Sequence, residues 1–279
     1  MNVLLKYVAS SGNEYNLKAE GIKTKTANYH VWNWGVEGTT LRFGTRVSGF
    51  NRDAATYTTR LIFTGSYSQN KAKIEALHED FEIDVRNKTP GRIIWGDYYI
   101  ECYIISSSTE PDDRNIYTVN DIEIFCPHPF WIKENKRSFY GVQPPEVQEF
   151  LDYEYDYEYD YAFGTTGSAV WEVDFPFPAE FLLTIFGPVD TPKITVNGYP
   201  YQINDTLEAT EYVTIDSRNN TVIKTLATGQ TANVFDLRDK ENSVFEPMPG
   251  GNMRFNWTGL FGFDVTLFEE RSEPRHSEV

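Results

Sequence analysis

The sequence has 279 residues, which is enough for two domains of ordinary size. Apolar residues make up 40% and aromatic residues 15%, enough for hydrophobic cores, and the many Tyr, Phe and Trp favour β structure. The formal net charge of −16 excludes a protein that grips nucleic acid through a basic surface. Such a chain can still surround nucleic acid without binding it.

The negative charge is concentrated in the second half of the chain. Residues 1–133 carry 15 Lys and Arg against 16 Asp and Glu, a net charge of −1. Residues 134–279 carry 10 against 25, a net charge of −15. We therefore predict an N-terminal β domain over residues 1–133, a linker over residues 134–160 that is rich in tyrosine and acidic residues, and a C-terminal β-sandwich over residues 161–279.

The two cysteines, Cys102 and Cys126, lie in apolar, strand-like runs. Two cysteines do not make a disulfide framework, and we predict that both are buried, reduced and structural. No apolar stretch has the length of a membrane span, so membrane insertion is not expected. The N-terminus lacks the basic region of a signal peptide, and we expect synthesis in a cytoplasm.

In the N-terminal domain, alternating apolar residues predict strands over residues 2–8, 39–47, 56–64, 98–107 and 116–125. Trp32 and Trp34 are spaced two apart in an edge strand or a long loop. They are either core residues or exposed interface residues. Residues 110–113, which include Pro111 and Asp112, are predicted to form a hairpin loop. Prolines at positions 127 and 129 mark the end of the domain.

One amphipathic helix is predicted over about residues 69–86. Ser68 is the candidate N-cap. Ile74, Leu77, Phe81 and Val85 follow at helical spacing and define the buried face. Four acidic residues of the segment, at positions 75, 79, 80 and 82, fall mostly off this stripe. A helix alone among strands is expected to cover one face or end of a sheet.

In the linker, tyrosine alternates with acidic residues. This alternation suits a strand with tyrosines on one face, whereas repulsion between the carboxylates favours an extended, solvated arm. Both conformations remain open. The tyrosines that an ordered arm would present to a neighbouring surface are Tyr153, Tyr155, Tyr157 and Tyr159.

The C-terminal domain has short strands separated by turn residues. The strands are predicted over residues 170–173, 181–186, 193–196, 212–215, 221–226, 232–237, 253–257 and 261–268. Asn197-Gly198 is a two-residue hairpin turn. This spacing predicts a two-sheet sandwich of jelly-roll type. The residues after position 268 are polar and are expected to fray.

No catalytic, cofactor-binding or metal-binding residue is predicted. The four histidines are scattered, and no nucleophile elbow or phosphate-binding loop is present. A pair of carboxylates for glycoside hydrolysis can be found in any chain this acidic, so it has no specificity. Trp257 and Phe263 are either sandwich core, the expected reading, or part of a sugar-binding platform.

Three stretches together resemble the distal tail protein (Dit) of long, flexible-tailed phages, the siphovirus-type tail component family. The first runs from the helix to residue 103 and includes Thr89-Pro-Gly91 and Gly96-Asp-Tyr-Tyr-Ile-Glu-Cys-Tyr103. The second is Cys126-Pro-His-Pro-Phe-Trp131 with the connector that follows. The third includes Ile185-Phe-Gly-Pro188, Pro192-Lys-Ile-Thr-Val-Asn-Gly198 and Pro249-Gly-Gly-Asn252. Connectors of the family often contain prolines, which residues 153–161 lack.

The resemblance implies a structural hub of the tail tip or baseplate, not an enzyme. It implies a homo-hexameric ring in the virion, built by an N-terminal β-sheet or barrel-like domain with one α-helix, with a jelly-roll or galectin-like C-terminal sandwich projecting outward. The implied partners are the major tail tube protein on one side and a tail-tip, fibre or lysin protein on the other. DNA would pass through the ring without sequence-specific binding.

Ring closure requires two different patches on each subunit. The candidate interface residues are Trp32 and Trp34, together with the hairpin over residues 108–115. An alternative function is a carbohydrate-binding or receptor-binding module in the C-terminal sandwich. That reading adds receptor-binding proteins or cell-wall saccharide as partners in host attachment.

Overall fold

The computed structural model describes residues 5–25, 29–111, 116–141 and 167–275. The chain divides into two compact units. The first comprises the described residues of Met1–Lys133 and Glu270–Val279, and the second comprises those of Glu134–Glu269. The described residues are mainly in strands, with one α-helix, which confirms the predicted fold class. No helix among them is long and apolar enough to cross a membrane.

The strands of the first unit pair antiparallel. They are β1 (Leu5–Val8), β2 (Glu14–Asn16), β3 (Ile22–Lys25), β4 (Gly35–Thr40), β5 (Thr45–Asn51), β6 (Ala55–Thr64), β7 (Gly91–Trp95), β8 (Tyr98–Pro111), β9 (Tyr117–Cys126) and the start of β10 (Trp131–Phe139), whose residues from 134 onward belong to the second unit. One sheet has the order β2–β1–β7–β8 and another the order β3–β6–β9–β8. The long strand β8 belongs to both, because residues 98–102 pair with β7 and residues 103–111 pair with β9. Side chains from both sheets form one buried core.

The helix α1 (Tyr67–Asn87) packs on this core through Ile74, Leu77 and Phe81. Its N-cap is Ser66 and not the predicted Ser68. The reason is the capping-box spacing, since the Ser66 backbone N–H donates to the Gln69 side chain at 3.0 Å. Val85, predicted on the buried face, is 43% exposed.

The predicted linker differs from the structure at its start. Residues 134–139 continue strand β10, because Phe139 is buried in the second unit and stacks on Phe263 with 4.5 Å between ring centroids. The rest of the linker beyond Gly141 lies outside the described residues. The polar tail also differs from the prediction, since residues 270–275 belong to the first unit. There Arg52 Nη2 donates to the Ser272 carbonyl at 3.2 Å.

The second unit is a β-sandwich. Its strands are β11 (Gly167–Val173), β12 (Glu180–Phe186), β13 (Val189–Asp190), β14 (Lys193–Val196), β15 (Tyr199–Gln202), β16 (Thr206–Leu207), β17 (Tyr212–Asp216), β18 (Thr221–Thr225), β19 (Thr231–Asn233), β20 (Gly251–Trp257) and β21 (Phe263–Arg271). One sheet has the order β11–β20–β14–β15 and the other contains β19–β18–β17–β12–β21. Their inward side chains form a single core cluster.

The hairpin turn at Asn197-Gly198 is confirmed, because Val196 pairs with Tyr199 and both turn residues have positive φ. The strand predicted over residues 232–237 is wrong in its second half. There the chain forms a 3₁₀ turn (Phe235–Leu237), which begins where the Phe235 N–H donates to the Asn233 side chain at 2.9 Å.

Candidate assembly interface

The segment predicted as one strand over residues 39–47 is a β-hairpin. Strands β4 and β5 pair only with each other among the described residues, from Gly35–Asn51 to Thr40–Thr45. The Leu41 N–H donates to the Gly44 carbonyl at 2.8 Å and closes the turn. Gly44 has φ of +89°, which a glycine adopts without steric cost. The strand prediction is wrong because the alternating residues Leu41 and Phe43 lie in and beside this turn.

The hairpin carries a set of apolar side chains that the first unit does not bury. No residue of β4 or β5 is buried. The apolar side chains and their exposed fractions are Val36 58%, Leu41 53%, Phe43 85%, Val47 47% and Phe50 63%. Val36 and Phe50 form a cross-strand pair, and Val47 lies opposite Gly38 after a bulge. Concentrated exposed apolar residues of this kind mark sites of protein interaction.

Trp32 and Trp34 lead into this hairpin and are 49% and 37% exposed. The Trp34 ring contacts the ring of Phe130 edge-on, with 5.9 Å between centroids. The Arg52 guanidinium also lies over the Phe130 ring, 4.9 Å from its centroid. Neither tryptophan is buried. Their role in an interface stays a prediction.

Trp32 also borders a pocket beside the start of β6. The residues that line it include Val31, Arg52, Asp53 and Tyr57. Burial lowers the pKa of the Arg52 guanidinium and raises the pKa of the Tyr57 hydroxyl. Burial therefore disfavours the charged form of each group, which is the protonated guanidinium of Arg52 and the phenolate of Tyr57.

The remaining predicted interface residues are only partly described. Pro111 is exposed at the end of β8, where it pairs with Thr118 of β9. Asp112 and the connector tyrosines lie outside the described residues. Those tyrosines are Tyr153, Tyr155, Tyr157 and Tyr159.

The hairpin itself and a second surface on the first unit were not among the features predicted from the sequence. That surface is a groove between α1 and β8, lined by residues that include His78, Glu82, Val85 and Ile105. In it a hydrogen bond of 2.9 Å joins the His78 Nε2 and the Ser107 hydroxyl. Burial lowers the pKa of His78, which favours its neutral form. Gly44 lies in the middle of an apolar run, and a glycine at that place in the sequence could have indicated the turn of the hairpin.

Clusters of ionisable side chains do not form a metal site in the described part of the chain, where no group of three or more His, Cys, Asp or Glu is placed to hold an ion. Trp257 and Phe263 are 8% and 0% exposed and lie in the sandwich core.

Comparison with known proteins gives matches at the level of structure. No family model and no curated protein sequence matches the chain. The Dit protein of phage SPP1, described as a paradigm of the hub adsorption apparatus in phages that infect Gram-positive bacteria, has a TM-score of 0.62 at 10% identity, covering 96% of this chain and 99% of its own. A chain of the phage P2 baseplate, in its activated conformation with Ca, has a TM-score of 0.65 at 12% identity, covering 98% and 100%. The same baseplate with Sr gives 0.64 at 12% identity. Over nearly its whole length, the chain has the fold of these phage tail-hub and baseplate proteins.

Proposed function

We propose that this protein is the distal tail protein of a long-tailed phage, a structural hub at the tail tip. Six copies form a ring that continues the tail tube on one side and seats the tail-tip or fibre protein on the other. The observation that carries the proposal is the shared fold over 96–98% of the chain. The resemblance of the sequence motifs supports it independently.

The exposed β4–β5 hairpin gives this proposal a physical basis for self-assembly. Its five apolar side chains remain in contact with water in a single copy. Burying a fully exposed side chain of this size contributes roughly 1.5–3 kcal/mol, and these side chains, which are 47–85% exposed, gain a part of that amount each. The hairpin is therefore an element of the first unit that gains free energy from contact with another protein.

The distribution of charge supports an arrangement with the first unit in the ring and the second outside it. Residues 1–133 have a net charge of −1 per copy, so repeated copies pack without large repulsion. Residues 134–269, which make up the second unit, carry 8 Lys and Arg against 22 Asp and Glu, a net charge of −14, so equivalent copies repel each other. Main subunit contacts through the second unit would contradict this arrangement.

The test compares two phenylalanines of the first unit. Phe43 is 85% exposed on the hairpin and Phe63 is 2% exposed in the core. We expect Phe43→Ala to leave the unfolding temperature unchanged while it shifts assemblies towards monomers in light scattering. Phe63→Ala should lower stability by about 3–5 kcal/mol. Intact assemblies in Phe43→Ala, at a concentration where the unmodified protein is half assembled, would contradict the proposed role of the hairpin.

A further inference from the structure

We propose that the hairpin tip of one copy docks into the groove between α1 and β8 of the next copy, with Phe43 as the anchor. This inference rests on the proposed hub function and names the receiving surface of its ring contact. The partner is a second copy of this chain.

The tip of the hairpin presents an exposed aromatic side chain, Phe43, next to the positive charge of Arg42. The turn over residues 41–44 is closed by the hydrogen bond from the Leu41 N–H to the Gly44 carbonyl. Phe43 is 85% exposed, and the Arg42 guanidinium lies 5.2 Å from the centroid of its ring. Aromatic and arginine side chains are the residue types that most often dominate the free energy of protein association.

The groove offers an apolar floor and an apolar rim. Phe81 and Ile104 are buried, at 4% and 4% exposed, and form its floor. Val85 and Ile105 border it and are 43% and 51% exposed. A side chain that enters this groove therefore meets carbon atoms below and beside it.

A β-bulge produces the exposed rim of the groove. Ile104 pairs with Ile124 and Ser106 pairs with Glu123, so Ile105 is the extra residue between two pairs of the β8–β9 ladder. A bulge redirects a side chain and is a common feature next to functional sites. The core of this unit gains nothing from an isoleucine directed outward at this position.

Charge complements the apolar contact. Glu82 borders the groove and is 70% exposed. Its carboxylate bonds to the Arg86 guanidinium at 2.9 Å and has acceptor positions left for a second guanidinium. Arg42 at the hairpin tip supplies one beside Phe43. The neutral form of His78, favoured by its burial, adds no positive charge, and the charge of Arg86, which also lines the groove, is paired with Glu82.

The two surfaces belong to different elements, so a contact between them is heterologous. Each copy then gives its tip to one neighbour and its groove to the other. Repetition of such a contact closes a ring when the rotation between copies allows it. A contact of tip against tip would instead end at a dimer.

The inference is tested by crosslinking a Thr45→Cys, Ser106→Cys double variant with a short bismaleimide. Both positions are exposed, one beside the hairpin tip and one on the groove, and the variant keeps Phe43 and Ile105. The native thiols, Cys102 and Cys126, are buried. We expect a denaturing gel to show a ladder of crosslinked species that extends to six chains. The matched control pairs Thr45→Cys with Lys73→Cys, because Lys73 is exposed on the side of α1 opposite Glu82. It should give no ladder.

Each other result has a definite meaning. Dimers from Thr45→Cys alone would show a contact of tip against tip and would overturn the docking. An equal ladder in the Lys73 control would also overturn the docking. The same holds if light scattering shows assemblies of six chains but the gel shows no ladder. The last result would contradict the docking but not the hub function. Unmodified protein that stays monomeric at every concentration would contradict the hub function and, with it, the docking.

Discussion

The Tyr7 hydroxyl donates a hydrogen bond to the carboxylate of Asp84 and so joins β1 to α1 inside the first unit. Asp84 is fully buried, and it also accepts a hydrogen bond from the Ser10 backbone N–H at 3.0 Å. Gly91 leaves room for this contact, because a Cβ atom there would lie 2.5 Å from the Asp84 Oδ2. The helix that borders the proposed docking groove is held in place by these polar contacts as well as by its apolar face.

Removing the Tyr7 hydroxyl should destabilise the first unit. The Tyr7→Phe variant keeps the ring packing but leaves the buried Asp84 carboxylate with one donor fewer. We expect the free energy of unfolding to fall by about 1–3 kcal/mol in urea titrations. The control is Tyr140→Phe, whose side chain is 79% exposed and whose stability should match that of the unmodified protein. Equal stability of the two variants would contradict the role of this hydrogen bond.

A second buried carboxylate, that of Asp80, should make the stability of the first unit depend on pH. Burial raises the pKa of Asp80, but hydrogen bonds from Tyr15, Asn13 and Ser11 together outweigh it, and the net pKa is lowered. A lowered pKa in the folded state gives stability that is present above the unfolded value of about 4 and is lost as the pH falls through the folded pKa.

We therefore expect Asp80→Asn to be less stable than the unmodified protein at pH 7, by about 1–3 kcal/mol, and the difference to narrow in acid. Urea unfolding at pH 7, 5 and 3 measures it. A difference that is constant over this range would show that the charge of Asp80 contributes nothing.

Replacing both Trp32 and Trp34 with alanine distinguishes a role in the core from a role in the interface. Since both side chains are partly exposed, we expect the variant to remain folded in circular dichroism and to lose assembly. Loss of the Trp34–Phe130 contact should cost about 0.5–1.5 kcal/mol of stability. Global unfolding would instead assign the pair to the core, and undiminished assembly would remove it from the interface.

The two cysteines should be unreactive in the folded protein. Both are buried and free, and burial raises the pKa of the Cys126 thiol to about 12. Because the thiolate is the reactive form, a thiol reagent at pH 8 should label the native protein slowly and label both cysteines at once in guanidinium chloride. Rapid labelling of the native protein would contradict their burial.

The strands of the second unit were largely predictable, because their apolar residues alternate with period 2 and turn residues separate them. Asn197-Gly198 fixed one hairpin from local sequence alone. The β4–β5 hairpin was not predictable in the same way. Leu41, Phe43 and Val47 have the pattern of a buried strand face, and nothing local indicates that this unit leaves them exposed.

The polar contacts that hold α1 could also not be predicted from the pattern of residues in the helix. Asp80 and Asp84 are acidic and would normally lie on the solvent side of a helix. They are 4% and 0% exposed because Tyr7, Tyr15 and the turn after β1 supply donors. Those donors lie more than 60 positions away in the sequence, so a pattern within the helix cannot reveal them.

The assembly state of the unmodified protein tests the central claim most directly. Light scattering gives its mass in solution, and negative-stain imaging gives its shape. The hub account predicts a particle of six chains of 32.2 kDa each, seen as a ring with an opening wide enough for duplex DNA. A single chain at every concentration, or a closed assembly of another size without an opening, would contradict it.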